Sequence, residues 1–591
     1  MTVVNDEEER NTVIRWLLHV LIALSVGVVA AVVTYSVEIV EHLREVILHF
    51  FLTGMPLSVV GYTLGWLFMV LTAIALTACA SAVVVFYEPA AAGGGIPDIM
   101  AYLNGVHLRR AMNLKTFLAK AASCICAVAS GMPVGLEAPL IHLGGITGAG
   151  VTQGRSRTLG FQTTWLQSFR SNEDRRDFIT AGAACGVSAA FGAPIGGLLF
   201  VMEEVSSFWN LVSSGQIFLA TMVCFTFITI INSIVEGKSL LGWVTNSASV
   251  LFEVNVGIPL NLMSVLPSLL LGAILGGLAA LFTKANLVLT RWRRENLKPF
   301  PKRRFLEPIV LTGLFTCIMY LLATFSFCRY ISSPYTGYSN SIRWGTESAD
   351  RLFCAMCGED SNRYSPFGSL SLASGKNVIR HLFTRQTAGE FPLYVLVMYF
   401  VLYFVFACLC CGTSVSGGLV VPSLVIGALF GRIFGLVLFY VGSDVNRGGY
   451  YSTKYSWMDP GLFALIGAGA FLAGTSRMTM SICVIMVELS SELHYLLPVM
   501  VAIVMSKTVA DWLSEPLYHH MLHMDCIPYL GPALSHPEFE QLTAADVMAT
   551  PLTSLRLREK TSVVLDALRN TPHNAFPIYE NKTKRGGSVH Q

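Results

Sequence analysis

The sequence predicts an all-α membrane protein that crosses the bilayer many times, with several tilted or broken helices. Of its 591 residues, 53% are hydrophobic and only 13% are charged, whereas soluble proteins carry about 25% charged residues. A single soluble core does not become this apolar at such a length. Glycines interrupt many of the shorter apolar runs, which favours tilted and partial helices. The longer runs can each cross about 30 Å of hydrocarbon: Trp16–Tyr35, Val59–Phe86, Phe218–Ile234, Leu262–Phe282, Leu393–Cys411 and Leu493–Trp512.

Basic residues concentrate in two connections between apolar runs and predict the orientation of the chain. By the positive-inside tendency both connections face the cytoplasm, and as solvated basic runs they need no nucleic-acid partner. The polar stretch 326–390 has no comparable basic block, so we expect it to face the lumen or the exterior. Residues 1–12 are acidic, unlike a signal peptide, and are assigned to the cytoplasm. The basic residues are Arg155, Arg157, Arg170, Arg175 and Arg176, then Arg291, Arg293, Arg294, Lys302, Arg303 and Arg304.

The chain has 14 cysteines, most of them within apolar runs, where cysteine behaves as a small hydrophobic residue. Cys328, Cys354 and Cys357 differ because they lie in the polar stretch 326–390. A disulfide among them is one interpretation. The C-x-x-C spacing of Cys354 and Cys357 is weak support for zinc because no second ligand pair is near. No metal site is predicted.

A weak internal repeat relates the two halves of the chain. The segment Gly135–Pro139 has the pattern G-x-x-x-P, and so does Gly418–Pro422, which begins 283 residues later. Repeats with broken helices at matching places indicate a binding site at the repeat interface, near the bilayer midplane. In each half a Gly-Ala segment is followed 21 positions later by a glutamate: Glu203 after Gly182, and Glu488 after Gly467.

Two carboxylates lie inside stretches whose composition is otherwise apolar, as expected for segments in the core of the bilayer. Glu137 is in the segment VGLEAPLIHLGG, and Glu204 ends the segment AAFGAPIGGLLFVMEE. Ionisable groups at that depth are costly and mark ion or proton pathways. These two glutamates are therefore the first candidates for function.

Three glycine-rich segments, each followed by an apolar helix, have the composition of an anion site. They begin at Gly93, Gly135 and Gly418 and contain a proline four residues later. Full positive charges would trap an anion inside a membrane, so conduction favours main-chain N–H groups, helix N-termini and hydroxyls. Glycine allows close approach of the backbone, and proline fits the first helical turn. The three helix starts are predicted to converge on one anion.

Four motifs follow one another along the chain: GGGIPDIMAYLNG, VGLEAPLIHLGG, AGAACGVSAAFGAPIGGLLFVMEE and SGGLVVPSLVIGALFGR. In these motifs and their order the chain resembles the CLC family of chloride channels and chloride/proton exchangers, which has four such signatures. The resemblance extends over about Ile14–Tyr579 and is strongest with the eukaryotic endosomal and lysosomal branch. It implies a transmembrane domain over 13–525, built as an inverted repeat of about 18 tilted and broken helices.

The resemblance also implies roles for particular residues. Glu137 matches the gating glutamate, which competes with chloride and accepts a proton, and Glu204 matches the internal proton glutamate. Tyr518 matches the tyrosine whose hydroxyl coordinates the central anion. Main-chain N–H groups complete the predicted anion ligands, and these belong to Gly94, Gly95, Ile96, Leu419 and Val420.

Four positions depart from the family's usual pattern. Gly94 stands where serine or proline is common, which removes a side-chain ligand and leaves the preference between chloride and nitrate open. Leu136 replaces a basic residue before the gating glutamate, and Ala138 replaces the glycine after it. Val420 replaces a phenylalanine, which is expected to widen the pore near the anion.

The C-terminal part has a mixed, soluble composition. A linker at 526–541 precedes a segment at 542–580 that is predicted as strand, helix and strand, with an amphipathic helix. This segment resembles the first of two tandem cystathionine-synthase-type (CBS) modules, so it is a partial CBS module. Nucleotide binding normally uses the pair of modules. ATP binding to this segment is therefore kept only as an alternative. Residues 581–591 are predicted to be disordered.

The resemblance implies antiport of chloride and protons, with no cofactor required. The alternatives are a passive voltage-gated chloride channel of the same fold and, remotely, a non-transporting membrane scaffold or enzyme. No H-E-x-x-H or G-x-x-x-x-G-K-[ST] motif supports an enzyme. Family members pair as homodimers, and some bind an accessory membrane subunit. The branch implies an endosomal, lysosomal or vacuolar membrane, with the plasma membrane as the alternative.

Overall fold

The chain forms two compact units, Met1–Tyr529 and Leu530–Gln591. The computed structural model describes thirteen segments of the chain. The predicted disordered end 581–591, the linker residues 531–541, Arg157 and Cys354 lie outside them. The described residues are 2–53, 59–108, 110–156, 160–162, 169–235, 261–330, 357, 363–385, 387–445, 456–530, 542–547, 553–571 and 576–579.

The first unit is helical, as predicted, with 18 α-helices in its described part. Eight belong to the first half of the chain, and two of them end in a π-helical turn, Val83–Tyr87 after α2 and Val201–Val205 after α7. The eight helices are α1 Thr2–Thr53, α2 Val59–Ala82, α3 Ile96–Leu103, α4 Leu114–Ala129, α5 Glu137–Gln153, α6 Asn172–Phe191, α7 Pro194–Phe200 and α8 Leu211–Val235.

The second half supplies the other ten helices of this unit. Several are short, as expected for a chain that breaks its helices within the membrane. They are α9 Val265–Asn296, α10 Pro301–Phe325, α11 Pro366–Ser371, α12 Gly375–Phe383, α13 Leu393–Cys410, α14 Val420–Val445, α15 Pro460–Ser476, α16 Met480–Ser490, α17 Leu496–Leu513 and α18 Leu517–Met524.

Eight segments in the described part are long and apolar enough to span a membrane. They include all six runs identified from the sequence. The two additional spans are Pro301–Phe325 and Val420–Val441. The first carries Glu307 and Pro308 near its start, and glycines interrupt the second, which explains why the sequence runs did not include them. The chain is thus a multi-pass membrane protein.

The polar stretch 326–390 contains more structure than its composition indicates. The strands β3 Arg329–Tyr330 and β4 Arg363–Tyr364 pair antiparallel, and Cys328 forms a disulfide with Cys357. The helices α11 and α12 lie in the same stretch and bury apolar side chains in the core. A second antiparallel pair, β1 Arg155–Ser156 and β2 Phe161–Gln162, follows α5. In the described part of the chain no cluster of potential metal ligands is present.

Matching glycines bring equivalent helix pairs together in the two halves. On α5, Gly144 and Gly148 lie against the backbone of α6, and on α14, Gly427 and Gly431 lie against the backbone of α15. An added Cβ at any of the four would overlap a main-chain carbonyl. The first pair follows Gly135 at the same spacings at which the second follows Gly418. The internal repeat seen in the sequence therefore corresponds to a structural repeat.

The two halves also exchange helix caps. The carboxylate of Glu203, at the end of α7, accepts hydrogen bonds from the N–H groups of Thr479 (2.6 Å) and Ser481 (2.9 Å) at the start of α16, and from both hydroxyl groups. Glu488 of α16 accepts in turn from the N–H groups of Ile195 (3.2 Å) and Gly196 (2.8 Å) at the start of α7. Orphan N–H groups of each helix are thus satisfied by the other half. We call this arrangement the reciprocal cap.

Removing either carboxylate of the reciprocal cap is expected to destabilise the protein. Glu203→Ala or Glu488→Ala leaves helix N–H groups without acceptors, at a cost of about 1–2 kcal/mol. The midpoint of thermal unfolding in detergent measures the effect. Glu295→Ala, at an exposed position near the end of α9, is the control and should melt like the wild type. Unchanged midpoints for both cap variants would contradict the assignment.

The second unit contains the predicted strand, helix and strand. The strands β5 Leu555–Arg556 and β6 Ile578–Tyr579 pair in parallel. Between them lies α20 Thr561–Asn570, and a short helix, α19 Ala544–Val547, precedes them. This β–α–β arrangement agrees with the secondary structure expected for residues 542–580.

Candidate anion site

The three glycine-rich helix starts meet at one point, as the sequence predicted. The N–H groups of Gly135 and Gly418 each donate to the carbonyl of the other, at 2.9 and 2.7 Å, in an isolated antiparallel bridge. The methyl group of Ala138, in the first turn of α5, lies between Gly94 and Gly418. A Cβ built on either glycine would be 2.8 Å from the Cβ of Ala138. The bridge also joins the two halves of the inverted repeat.

Five main-chain N–H groups, those of the predicted ligands, have no hydrogen-bond acceptor in the described part of the chain. Within the described residues, the N–H groups of Gly94, Gly95, Ile96, Leu419 and Val420 donate to no protein acceptor. Ile96 and Val420 are the first residues of α3 and α14, where N–H groups lack intrahelical partners. Helix N-termini carry partial positive charge. The site thus offers several neutral main-chain donors, beside the ammonium group of Lys120.

Gly95 occupies a position that no other residue fits. It precedes α3 in the left-handed conformation, with φ of 85°, which L side chains rarely adopt. A Cβ there would also overlap the His142 ring and lie 2.7 Å from Lys120 Nζ. Lys120 is fully buried and donates to the carbonyl of Gly93 at 3.2 Å. Lys120 therefore anchors the glycine loop, the segment Gly93–Gly95 that precedes α3.

Glu137 is the first residue of α5 and is 3% exposed. Its carboxylate lies against Gly135, and Oε2 has no hydrogen-bond partner among the described residues. An isolated buried carboxylate is costly as an anion. Protonation of the side chain, or its movement away from this position, removes that cost.

Lys376 is the charged side chain that acts on Glu137. It follows Gly375 at the start of α12, where a Cβ on Gly375 would be 2.9 Å from Val421, a residue that also packs against Gly135. The ammonium group interacts electrostatically with Glu137 and lies 3.9 Å from Glu38. A positive charge from another helix thus acts on Glu137, although position 136 carries leucine.

Glu204 lies in the π-helical turn Val201–Val205, a feature that is frequent at functional sites. Its Oε1 atom is buried without a hydrogen-bond partner in the described structure. The neighbouring Glu203 is occupied by the reciprocal cap. Lys507 interacts electrostatically with Glu204. Of the adjacent pair, Glu204 is therefore the one with a buried carboxylate oxygen that has no hydrogen-bond partner in the described structure.

Tyr518 lies near Glu204, on a helix that packs against α3. It is the second residue of α18, which packs on α3 and α15. The side chain is 7% exposed and interacts electrostatically with Glu204. The elements that carry Glu204, Tyr518 and Gly95 are therefore neighbours around α3.

The sequence interpretation did not include three basic or titratable residues at this site. Lys120, His142 and Lys376 surround the glycine loop and Glu137. Lys120 had a recognisable signal, because it is an isolated lysine in an apolar helix, and such charges are exceptional at that depth. The place of Lys376 had no local signal, since it depends on the packing of α12 against α14.

The fold and this site define a polytopic membrane protein built around unpartnered main-chain amides and a buried carboxylate. The chain belongs to the family of voltage gated chloride channels, whose family model matches residues 75–511. It is 32% identical to chloride channel protein D of Dictyostelium discoideum, over 97% of this chain and 61% of that protein. It is 33% identical to the human H(+)/Cl(-) exchange transporter 7, over 96% of this chain and 67% of that protein.

Solved structures of the same fold extend this comparison. A crystal structure of a eukaryotic CLC transporter matches with a TM-score of 0.65 at 21% identity, over 95% of this chain and 85% of that one. A cyanobacterial Cl⁻/H⁺ antiporter matches with a TM-score of 0.63 at 19% identity, over 86% and 97% of the respective chains. These likenesses establish the fold.

Proposed function

We propose that the protein exchanges chloride for protons across a membrane. The observation that carries the proposal is the meeting of unpartnered N–H groups from Gly94–Ile96 and Leu419–Val420 beside the buried carboxylate of Glu137. Neutral donors at helix N-termini hold a dehydrated anion without trapping it. Two of the related proteins, a human transporter and a cyanobacterial one, are named as chloride/proton exchangers.

In this mechanism the carboxylate of Glu137 and the chloride ion compete for one place. Protonation of Glu137 neutralises the side chain, which then leaves the anion path and admits chloride. Glu204 passes the proton to and from the side predicted to be cytoplasmic. The hydroxyl of Tyr518 is the proposed side-chain ligand of the central anion. Because Glu203 is held in the reciprocal cap, only one glutamate of the pair serves as the relay.

The decisive experiment uses purified protein in liposomes with simultaneous chloride and pH readouts. A chloride gradient should drive protons uphill, in the direction opposite to chloride. A reversal potential that follows chloride alone and ignores pH would select the passive channel of the same fold. Absence of all anion flux from folded protein would reject both and support a scaffold.

Lys376→Gln is expected to reduce chloride entry at subsaturating chloride by roughly tenfold. A positive charge at the mouth of a pore concentrates anions there, and this variant removes it from the end of the pore next to α12. Initial rates of chloride uptake over a range of salt concentrations measure this effect, which should weaken at high ionic strength. Lys115→Gln is the matched control, since Lys115 is exposed at the start of α4. Equal rates for the two variants would contradict the assigned role.

We further propose the assembly and setting that the resemblance implies. The protein pairs as a homodimer and acts in an endosomal, lysosomal or vacuolar membrane, with an accessory membrane subunit as a possible partner. Residues 542–580 form a CBS-type segment, with ATP as its candidate ligand. Cross-linking in membranes and equilibrium binding of ATP to the full chain test the first and the last of these.

A further inference from the structure

Two of the departures from the family's usual signatures, Gly94 and Ala138, lie against each other at the candidate anion site. A Cβ built on Gly94 would lie 2.8 Å from the Cβ of Ala138, and real Cβ atoms essentially never approach within 3.0 Å. The backbone of Gly94 is not in the left-handed region, so its conformation alone does not demand glycine. The obstacle to a side chain at position 94 is the methyl group of Ala138.

That methyl group is buried in a close contact between backbones. It is 2% exposed and packs directly on Gly418, where only the absence of a Cβ leaves room for it. Gly418 is fixed by its two hydrogen bonds with Gly135. Ala138 also belongs to the first turn of α5, whose axis is set by close packing against α6. Relief must therefore come from removing one of the two Cβ atoms.

We propose that Ala138 is a specificity-determining residue: its methyl group occupies the space that a side chain at position 94 requires, and so keeps the anion site free of a hydroxyl ligand there. This inference rests on the proposed transport function and deepens it. The substrate class is a monovalent anion held at this position by main-chain N–H groups. A hydroxyl adds a directional donor that suits a compact halide more than the larger, planar nitrate, so its absence reduces discrimination between the two.

The test is a cycle of variants that distinguishes the effect of an added hydroxyl group from the effect of an added Cβ atom. Gly94→Ser alone should lose transport by at least roughly tenfold and melt at a lower temperature, because overpacking at a tight contact is destabilising. Ala138→Gly alone adds no hydroxyl and is the baseline against which the selectivity of the double variants is compared. The double variant Gly94→Ser/Ala138→Gly should regain chloride flux and raise the chloride-to-nitrate ratio by about three- to tenfold, the effect of one hydrogen bond.

Gly94→Ala/Ala138→Gly is the matched control, because it carries the Cβ without the hydroxyl. It should regain stability and flux but keep the selectivity of Ala138→Gly. The inference is overturned if Gly94→Ser alone is as stable and as active as the double variant, or if the two double variants have the same selectivity. Thermal unfolding reports on the steric coupling whether or not the protein transports. A wild type without anion flux would therefore reject the proposed function and still leave the coupling measurable.

Discussion

Replacing Glu137 by alanine is expected to abolish proton transport while chloride continues to flow. The carboxylate that takes up the proton at the anion site is absent in this variant, and the place it occupied is open to chloride. Chloride flux should also lose its dependence on pH. Liposomes with a chloride gradient, monitored for both ions, provide the measurement, and the proton signal should fall to that of protein-free liposomes.

Glu137→Gln complements this experiment because it imitates the protonated side chain at nearly the same volume. It should show the same loss of proton transport. Glu295→Ala, far from the site in sequence and exposed on α9, should retain wild-type exchange. Uphill proton movement by the Glu137 variants would refute the assignment of the gate.

Replacing Glu204 by glutamine is expected to produce a different defect. Proton transport should fall to the background level because the relay is lost, whereas chloride flux should keep its pH dependence because Glu137 is still present. The two variants thus differ in one measurable property, the response of chloride flux to pH. That difference distinguishes a gate from a relay.

The adjacent residue provides the control for Glu204. Glu203→Gln changes the same charge one position away, at a carboxylate that is already committed to Thr479 and Ser481. It should lower thermal stability and keep proton coupling. If Glu203→Gln removed coupling and Glu204→Gln did not, the roles of the pair would have to be exchanged.

Much of the fold was predictable because it follows from features that are local in the chain. Apolar runs of sufficient length indicated the spanning helices, and glycine followed by proline indicated where helices begin within the membrane. The shared G-x-x-x-P pattern at Gly135 and Gly418, with a glutamate 21 positions after a Gly-Ala segment in each half, indicated the repeat. The bridge between Gly135 and Gly418 confirms that the repeats meet there.

The details that escaped prediction depend on contacts between distant segments. The glutamates at 203 and 488 were recognised as equivalent, but their exchange of helix caps requires knowledge of which helices are neighbours. Likewise, Gly94 and Ala138 were noted as separate departures, whereas their Cβ positions compete for the same space. Spacing along the chain does not encode such proximity.

The reciprocal cap has a consequence for how this chain is made. During synthesis the first half emerges with the start of α7 still lacking its acceptor, because Glu488 is nearly three hundred residues away. The hydrogen bonds that cap the start of α7 cannot form until the second half has been synthesised. The same holds for the bridge at Gly135. The membrane domain is therefore expected to complete its folding cooperatively, after both halves have been synthesised. A chain that stops after the first half is expected to be degraded, because it does not form a stable half of the pore.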